Sequence, residues 1–561
     1  MAWPNKPIII YVSGAPYLYF RKFDYMPKFI PASILALLAT LQLFATDPYP
    51  RNHGIDIKHY RFRIDLNDST NAIAGVAEVT ILFKDSLSTF ELDLVGKSPD
   101  GNGMAVSSVS QGKKPLPFAQ KGDRLSILLP HTARAGEETT ISIAYGGTPS
   151  DGLVIGTNKF GDRVFFGDNW PNRAHYWLPT IDHPYDKASC EFIVTAPSHY
   201  QAIANGILME KTNLPHDRTL AHWRETADIP TKVMVIGVAR FATTTAGTVN
   251  GIPVETWVYP QNKEAGFTDY EIATKVLAYF IDHVGPYPYQ KLANVQSTTR
   301  YGGMENASNI FYYENSVTGK NEREGLIAHE TAHQWFGDSA SEKDWYHVWL
   351  SEGFATYFTN LYYEANYGSA ELAKRMAQQR DEVIKYHSKN PAPVIDTTLT
   401  DINKVLNANS YQKGSWVLHM LRKKVGDENF WKGIRLYYQT YQNSNALTSD
   451  FRHIMEKVSG MDLRLFFEQW LSESGHPVLT VTWQYNARKK QVEGVVRQGQ
   501  NPLFATPLEI GVKADDGTLS IQTVQLGKKG TKFAFVAPKS PKELVLDPHT
   551  WLLFEGKISR K

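Results

Sequence analysis

The chain has 561 residues, 42% hydrophobic and 21% charged, so it has the composition of a folded protein and enough length for several domains. Its 59 basic and 57 acidic residues leave a formal charge of +2, which excludes the strong positive field of a typical nucleic-acid-binding protein, and we expect no nucleic-acid partner. With a single cysteine, Cys190, the chain cannot form an intrachain disulfide or a thiolate cluster, and any metal site must use histidine and carboxylate ligands.

The first 45 residues predict a signal peptide. Residues 30–45, IPASILALLATLQLFA, carry no charge, follow a stretch that contains Arg21 and Lys28, and are too short to span a bilayer comfortably. Translation is expected to begin at Met26 and cleavage to fall near Ala45. A buried helix or a membrane anchor is the alternative. We therefore expect export to the periplasm or the cell exterior, with no stable membrane span in the mature chain.

Three patterns then follow in chain order. Residues 46–250 alternate short segments rich in β-branched and aromatic residues with turn residues, which predicts an N-terminal β domain. Residues 251–474 change to a period near 3.6, as in EGLIAHETAHQWFG, WLSEGFATYFTNLYYEANYG and SYQKGSWVLHMLRKKV, which predicts a mostly helical domain. Residues 475–561 return to strand patterns and predict a C-terminal β-sandwich. The predicted fold class is therefore multidomain α+β.

The segment AHETAHQWFGD has the spacing of a zinc site. His329 and His333 are four residues apart and would lie on one face of a helix, where both imidazoles could reach one ion. Two histidines on a core-facing stripe are the alternative. A catalytic zinc takes three protein ligands, and Glu352 in WLSEGFA, eighteen residues beyond His333, can return a carboxylate to the same ion. Glu330 would then act as the general base for an attacking water.

These motifs resemble those of the gluzincin aminopeptidases, the family of aminopeptidase N and leukotriene hydrolase. The strings YGGMENAS, HETAHQWFGD, WLSEGFA and SYQKGSWVLHML occur in the family's order and spacing, and weaker likeness extends over most of the chain from about Asp47. The resemblance implies an N-terminal β-saddle, a thermolysin-like catalytic domain with one zinc ion, and a β-sandwich. It also implies removal of the N-terminal residue from peptides with a free N-terminus. We expect a short form that ends after the sandwich, without the family's helical C-terminal domain.

The resemblance also suggests roles for further residues. Gly302, Gly303 and Met304 match the family strand whose backbone pairs with the substrate, and Glu305 matches the glutamate that holds the free α-amine. Tyr411 is the candidate donor to the oxyanion. An internal peptide cannot satisfy a buried carboxylate at this position, so Glu305 would distinguish an exopeptidase from an endopeptidase.

The sequence departs from the family pattern at three places. Asp168, five positions before Arg173, stands where many members have a glutamate or glutamine, and it is a candidate second contact to the substrate amine; a turn-forming aspartate is the alternative. The usual DEP triplet appears as DHP at residues 182–184, and WLNEG appears as WLSEG with Ser351. None of these changes falls on a proposed metal ligand.

Two other function classes remain open. An epoxide hydrolase could use the same architecture, with zinc polarising an epoxide oxygen while a separate carboxylate directs water. A catalytically silent protein could use the fold only to bind peptides. The complete set of zinc ligands together with Glu330 favours an enzyme, because loss of one of them would be the mark of a silent protein.

Overall fold

The computed structural model describes residues 47–561. The predicted signal peptide and the expected start at Met26 lie outside the described residues. No helix within residues 47–561 has both the length and the apolar run that are needed to cross a membrane.

The N-terminal region is built from β-strands, as predicted. Strand β1 buries Ile55 and Ile57, and a bulge after Ile57 shifts the register so that Tyr60 and Phe62 are the next buried side chains. The strands form an eight-stranded sheet ordered β13-β14-β11-β1-β2-β8-β4-β5, a four-stranded sheet ordered β12-β15-β10-β9 and a three-stranded sheet ordered β3-β7-β6. Their bounds are β1 Ile55–Asp65, β2 Ile73–Phe83, β3 Leu87–Asp93, β4 Gly103–Gln111, β5 Lys114–Pro115, β6 Phe118–Lys121, β7 Arg124–Ala133, β8 Glu138–Thr148, β9 Leu153–Thr157, β10 Arg163–Gly167, β11 Ala188–Pro197, β12 Gln201–Ala204, β13 Ile207–Leu214, β14 Arg218–Ile229 and β15 Ile236–Ala239.

A five-stranded sheet ordered β16-β17-β18-β20-β19 precedes the helices. Its first two strands form a hairpin through Asn250 and Gly251, which both have positive φ, as tight two-residue hairpin turns require. The predicted border between residues 250 and 251 therefore falls within this turn. The bounds are β16 Ala242–Val249, β17 Ile252–Val258, β18 Leu292–Ser297, β19 Gly303–Met304 and β20 Asn309–Tyr313, and a separate strand pair is formed by β21 Ala340–Glu342 and β22 Ser444–Ala446.

Helices fill the rest of the middle region. The three segments whose period predicted helices are helical here, although SYQKGSWVLHMLRKKV begins with a wide π-turn at Asn409–Lys413 before α6. Four of the helices whose bounds follow, α1, α5, α7 and α8, were not singled out by the sequence. The bounds are α1 Lys263–Tyr270, α2 Ala273–His283, α3 Glu324–His333, α4 Trp349–Tyr367, α5 Ser369–His387, α6 Gly414–Val425, α7 Asp427–Tyr441, α8 Thr448–Ser459 and α9 Arg464–Phe467.

The C-terminal region consists of two sheets, which agrees with the predicted α+β fold class. They are ordered β27-β24-β23-β29 and β26-β25-β28. In β23 the alternate residues Leu479, Val481 and Trp483 are buried, as expected for strands with one face on a core. The bounds are β23 Val478–Asn486, β24 Gln491–Gln498, β25 Pro507–Lys513, β26 Leu519–Gln525, β27 Gly530–Val536, β28 Glu543–Leu546 and β29 Glu555–Arg560.

Candidate active site

Two histidines and a carboxylate converge where α3 meets α4. His329 and His333 lie one turn apart on α3, so both rings project from the same face of the helix. Glu352 lies in the first turn of α4, and its Oε2 is 3.5 Å from His329 Nε2 and 3.2 Å from His333 Nε2. The two Nε2 atoms are 3.1 Å apart. This arrangement of two imidazoles and one carboxylate suits a single tetrahedral metal ion.

Hydrogen bonds to Nδ1, the ring nitrogen that faces away from Glu352, fix the orientation of His333. Its Nδ1 lies 3.1 Å from the Phe336 carbonyl oxygen and 3.0 Å from Ser351 Oγ, so Nδ1 carries the hydrogen and Nε2 is left free for a ligand bond. Gly337, at φ 123°, permits this arrangement, because a Cβ there would lie 2.2 Å from Ser351 Oγ. Ser351, one of the departures from the family pattern, therefore contacts a candidate ligand directly.

Glu330 packs against the backbone of the neighbouring strand. A Cβ at Gly303 would lie 2.3 Å from Glu330 Oε1, so only glycine leaves room for this carboxylate. Glu330 is buried, and burial raises its pKa well above the ordinary value, although the nearby His333 opposes the shift. The side chain is thus confined beside the histidines in a setting that favours taking up a proton.

Strand β19 presents its residues at the edge of the five-stranded sheet. Among residues 47–561 it pairs only with β20, through Gly303 with Tyr312 and Met304 with Phe311, so its other edge is available to an added strand. Glu305 follows directly after it. The geometry is that of a short edge on which an extended peptide backbone can pair.

Glu305 is a buried carboxylate with a spare acceptor. The residue is 5% exposed, and its Oε1 has no hydrogen-bond partner within residues 47–561. Its backbone oxygen accepts a 2.6 Å hydrogen bond from Gln334 Nε2, and Gln334 Oε1 accepts one from the Ser308 backbone N–H at 2.7 Å. Gln334 therefore ties the segment that carries Glu305 to the end of α3, beside the histidine pair.

Tyr411 lies beside the point where two helices touch through glycines. A Cβ on Gly353 of α4 would lie 2.9 Å from the Cα of Gly414 in α6, so any side chain there would push the helices apart. The Tyr411 ring, in the π-turn before Gly414, stacks near His329 with centroids 6.0 Å apart. Burial and the Glu352 and Glu305 carboxylates raise the pKa of Tyr411 well above its ordinary value, so the hydroxyl remains a hydrogen donor.

The electrostatics of the site favour a cation. Burial alone would lower the pKa of His333, but the Glu305 and Glu352 carboxylates outweigh it and raise that pKa to about 10. A metal ion or an ammonium group is the natural counter-charge for these carboxylates.

These side chains share one cavity of about 270 Å³. The sequence-predicted residues that line it are Gly302, Gly303, Met304, Glu305, His329, Glu330, His333, Glu352 and Tyr411. Four apolar or aromatic lining residues were missed: Trp170, Tyr301, Leu326 and Leu406. Tyr301 is the first residue of YGGMENAS and Trp170 lies two residues after Asp168, and their rings contact one another with centroids 6.1 Å apart. Adjacency to a motif was the only signal for them.

Asp168 is placed differently and does not line the cavity. Its Oδ1 accepts a 2.8 Å hydrogen bond from Arg173 Nη2, and its Oδ2 accepts one from the Arg300 backbone N–H at 3.1 Å. The residue is fully buried. Both oxygens thus have partners inside the protein, and the predicted contact between Asp168 and a substrate amine stays a prediction.

The chain is similar to proteins of known family over most of its length. The peptidase family M1 domain matches residues 268–470, and the peptidase M1 N-terminal domain matches residues 57–233. A curated relative named "Probable aminopeptidase 2" from Sulfurisphaera tokodaii is 29% identical over 74% of this chain and 54% of its own. Glutamyl aminopeptidase from Rattus norvegicus is 28% identical over 58% of this chain and 36% of its own. The chain thus spans about half or less of the length of these relatives.

Solved structures show the same fold. The M1 zinc metallopeptidase from Deinococcus radiodurans is 24% identical with a TM-score of 0.66, and the match covers 76% of this chain and 96% of that one. Legionella pneumophila aminopeptidase A, solved with aspartic acid, is 17% identical with a TM-score of 0.80, over 92% of this chain and 61% of that one. Because both characteristic M1 domains are matched and together take in more than half of the chain, the chain belongs to the M1 peptidase family, the gluzincin aminopeptidases.

Proposed function

We propose that this protein is a zinc-dependent aminopeptidase that hydrolyses the N-terminal peptide bond of peptides with a free α-amine. The observation that carries the proposal is the unpaired Oε1 of buried Glu305 in the same cavity as the His329, His333 and Glu352 cluster. The proposed zinc ligands, where an amide would be cleaved, and the Glu305 carboxylate, which lacks a cationic partner, line the same cavity. The names of the relatives, an aminopeptidase and a zinc metallopeptidase, support the same activity.

One zinc ion per chain would be held by His329, His333 and Glu352. Two neutral imidazoles and one carboxylate are a donor set typical of catalytic zinc. The hydrogen on His333 Nδ1, held by Phe336 and Ser351, leaves Nε2 as the ligand atom. When bound, zinc supplies Lewis acidity that polarises the scissile carbonyl and makes water a stronger nucleophile.

The protein's own residues handle the protons and the charge. Glu330, confined against Gly303, takes a proton from the attacking water and passes it to the leaving amine. Tyr411, whose raised pKa keeps it protonated, donates a hydrogen bond to the carbonyl oxygen as negative charge develops there. The edge of β19 aligns the substrate backbone between them.

Glu305 makes the proposed enzyme an exopeptidase. A free α-ammonium group pairs with the unpaired Oε1, whereas an internal peptide bond brings no charge and leaves a buried carboxylate desolvated. That penalty opposes binding of blocked or internal segments. The preference for a free N-terminus thus follows from one unsatisfied oxygen.

We also propose that the protein is exported and that its three regions are separate domains, with one border near residue 475 and the other near residue 250, before the β16–β17 hairpin that belongs to the five-stranded sheet. The export proposal depends on the uncharged segment at residues 30–45. Mass spectrometry of the native protein tests it: a mature N-terminus close to Ala45 is expected, and a mature chain that begins at Met1 would contradict it.

The proposed activity is tested with a panel of aminoacyl-aminomethylcoumarin (AMC) substrates, each unblocked or N-acetylated, with and without a zinc chelator. We expect one zinc per chain by elemental analysis and chelator-sensitive cleavage of the unblocked substrates alone. Cleavage of blocked substrates, or no turnover by the zinc-loaded protein, would overturn the proposal. Turnover of an epoxide without peptide cleavage would favour the other enzyme class.

A further inference from the structure

A larger cavity lies beside the candidate active site. It has a volume of about 660 Å³ and is lined mainly by the segment between the end of α5 and the turn that carries Tyr411, residues 389–410. We propose that this cavity binds the C-terminal part of short peptides and that Lys389 and Lys404 hold their free C-terminal carboxylate. This inference rests on the proposed aminopeptidase function and names its substrate class.

The two cavities are neighbours. Leu406 lines both of them, and Ser410, on the wall of the larger cavity, immediately precedes Tyr411 in the smaller one. A substrate whose amine is held by Glu305 has its first carbonyl at the histidine pair and Tyr411. In this proposal the residues beyond the scissile bond extend past Leu406, which lines both cavities. The larger cavity is the space that receives them.

The walls of this cavity are tied together by hydrogen bonds. Asn409 Nδ2 donates to the Ala392 carbonyl oxygen at 3.0 Å and to the Pro393 carbonyl oxygen at 3.2 Å. On another wall the Tyr346 hydroxyl donates to the Leu399 carbonyl oxygen at 3.0 Å. Because these bonds join distant parts of the segment, the cavity is formed before a ligand arrives, which lowers the entropic cost of binding.

The charged groups that line the cavity leave an excess of positive charge. Lys389 is exposed and makes no ion pair with any residue from 47 to 561, and Lys404 has only a 3.9 Å contact with Asp401. Asp396, the one carboxylate among the lining residues, accepts hydrogen bonds from the Thr398 backbone N–H and hydroxyl at 3.0 and 2.6 Å. Asp396 is therefore already engaged, while the two lysines are available to an anion.

The cleft as a whole thus has opposite charges at its two ends. Glu305 and its neighbouring carboxylates form an acidic end that matches a free N-terminal ammonium, and the two lysines form a basic end that matches a C-terminal carboxylate. Only a peptide whose extended length matches the span between these two ends can reach both of them at once. A longer peptide, or one with a blocked C-terminus, loses the second contact.

The test compares Leu-Gly-Gly with Leu-Gly-Gly-amide on the full-length zinc-loaded protein. We expect the free acid to have a kcat/KM about threefold to tenfold above that of the amide at low salt, and the difference to shrink at high salt because these charges are exposed. In the double variant Lys389→Met/Lys404→Met the ratio should fall to about one, and in Lys404→Glu it should fall below the wild-type ratio. The control variant Lys424→Met/Lys432→Met removes the same charge elsewhere and should keep the wild-type ratio.

The outcomes separate this inference from the proposed function. Turnover of Leu-AMC, which has no C-terminal carboxylate, reports on the aminopeptidase activity alone. If the wild-type protein cleaves Leu-AMC but shows equal rates for acid and amide, the carboxylate site is refuted while the proposed function stands. If Leu399→Ala changes the preference among aminoacyl-AMC substrates and leaves the acid-to-amide ratio as it was, the cavity binds the first side chain and the inference is overturned. No turnover of any substrate would refute both.

Discussion

Two buried carboxylates of this protein, those of Asp168 and Glu305, differ in whether their oxygens have hydrogen-bond partners. Asp168 has both oxygens occupied, by Arg173 and by the Arg300 backbone N–H, and it lies outside the active-site cavity. Glu305 lines that cavity and keeps one oxygen without a partner in the described part of the chain. The partners of a paired buried carboxylate compensate its charge, whereas an unpaired one costs stability and is ready for a ligand. The comparison indicates which of the two has been left open for a substrate.

The largest effect is expected at Glu330, a third buried carboxylate, whose proposed role is to transfer protons and not to bind the substrate amine. Glu330→Gln keeps the shape that fits against Gly303 but removes the base, so kcat should fall about 100- to 10,000-fold while zinc content is unchanged. Steady-state kinetics and elemental analysis measure this. Glu324→Gln, at the start of the same helix, is the matched control and should stay within about twofold. A wild-type rate for Glu330→Gln would contradict the assignment.

Tyr411→Phe should have the next largest effect. It keeps the ring beside His329 and removes only the donor, so kcat should fall about 100- to 1,000-fold with little change in KM. Tyr363→Phe, on α4 and outside the cavity, serves as the control. If kcat falls less than about threefold, another group donates to the oxyanion.

Ser351→Ala tests the hydrogen bond behind His333. Loss of the hydroxyl leaves only the Phe336 carbonyl to orient the ring, so zinc affinity should weaken about tenfold. Competition with a chelator measures the dissociation constant. Ser341→Ala, another buried serine of the same region, should leave zinc affinity unchanged. Equal affinities in all three proteins would show that Ser351 has no influence on the ligand.

Asp168→Asn should have the smallest kinetic effect and sharpens the comparison with Glu305. The amide keeps the shape but loses the charge opposite Arg173, so the free energy of unfolding should fall by about 1–3 kcal/mol while kcat/KM for Leu-AMC changes less than about threefold. Urea unfolding and steady-state kinetics measure the two quantities. A KM raised tenfold or more would instead show that Asp168 contacts the substrate amine.

The sequence predicted the parts of the site that depend on local spacing. The four-residue spacing of the histidines and the gap to Glu352 are properties of helices α3 and α4, and the structure brings these three residues together. Contacts between distant segments were not predictable in this way. The approach of Gly353 to Gly414 and the bond from Ser351 to His333 depend on how helices pack, which no local period encodes.

The fold shows the same division. Strand alternation and helical period gave the α+β class correctly, but the five-stranded sheet at the start of the helical region was not foreseen, and its edge strand β19 is only two residues long. A strand this short has no measurable alternation, and its place is set by pairing with β20. The hydrogen bond between Asp168 and the Arg300 backbone N–H could not be predicted either, because Arg300 lies far along the chain.

The central claim is that the unpaired carboxylate of Glu305 selects a free N-terminus. The most direct test measures kcat/KM for Leu-AMC and for N-acetyl-Leu-AMC in the wild-type protein and in Glu305→Gln, with zinc content checked in both. We predict that the wild-type protein prefers the free amine by at least about 100-fold and that this preference falls to a few-fold in the variant. A preference that survives unchanged in Glu305→Gln would contradict the account.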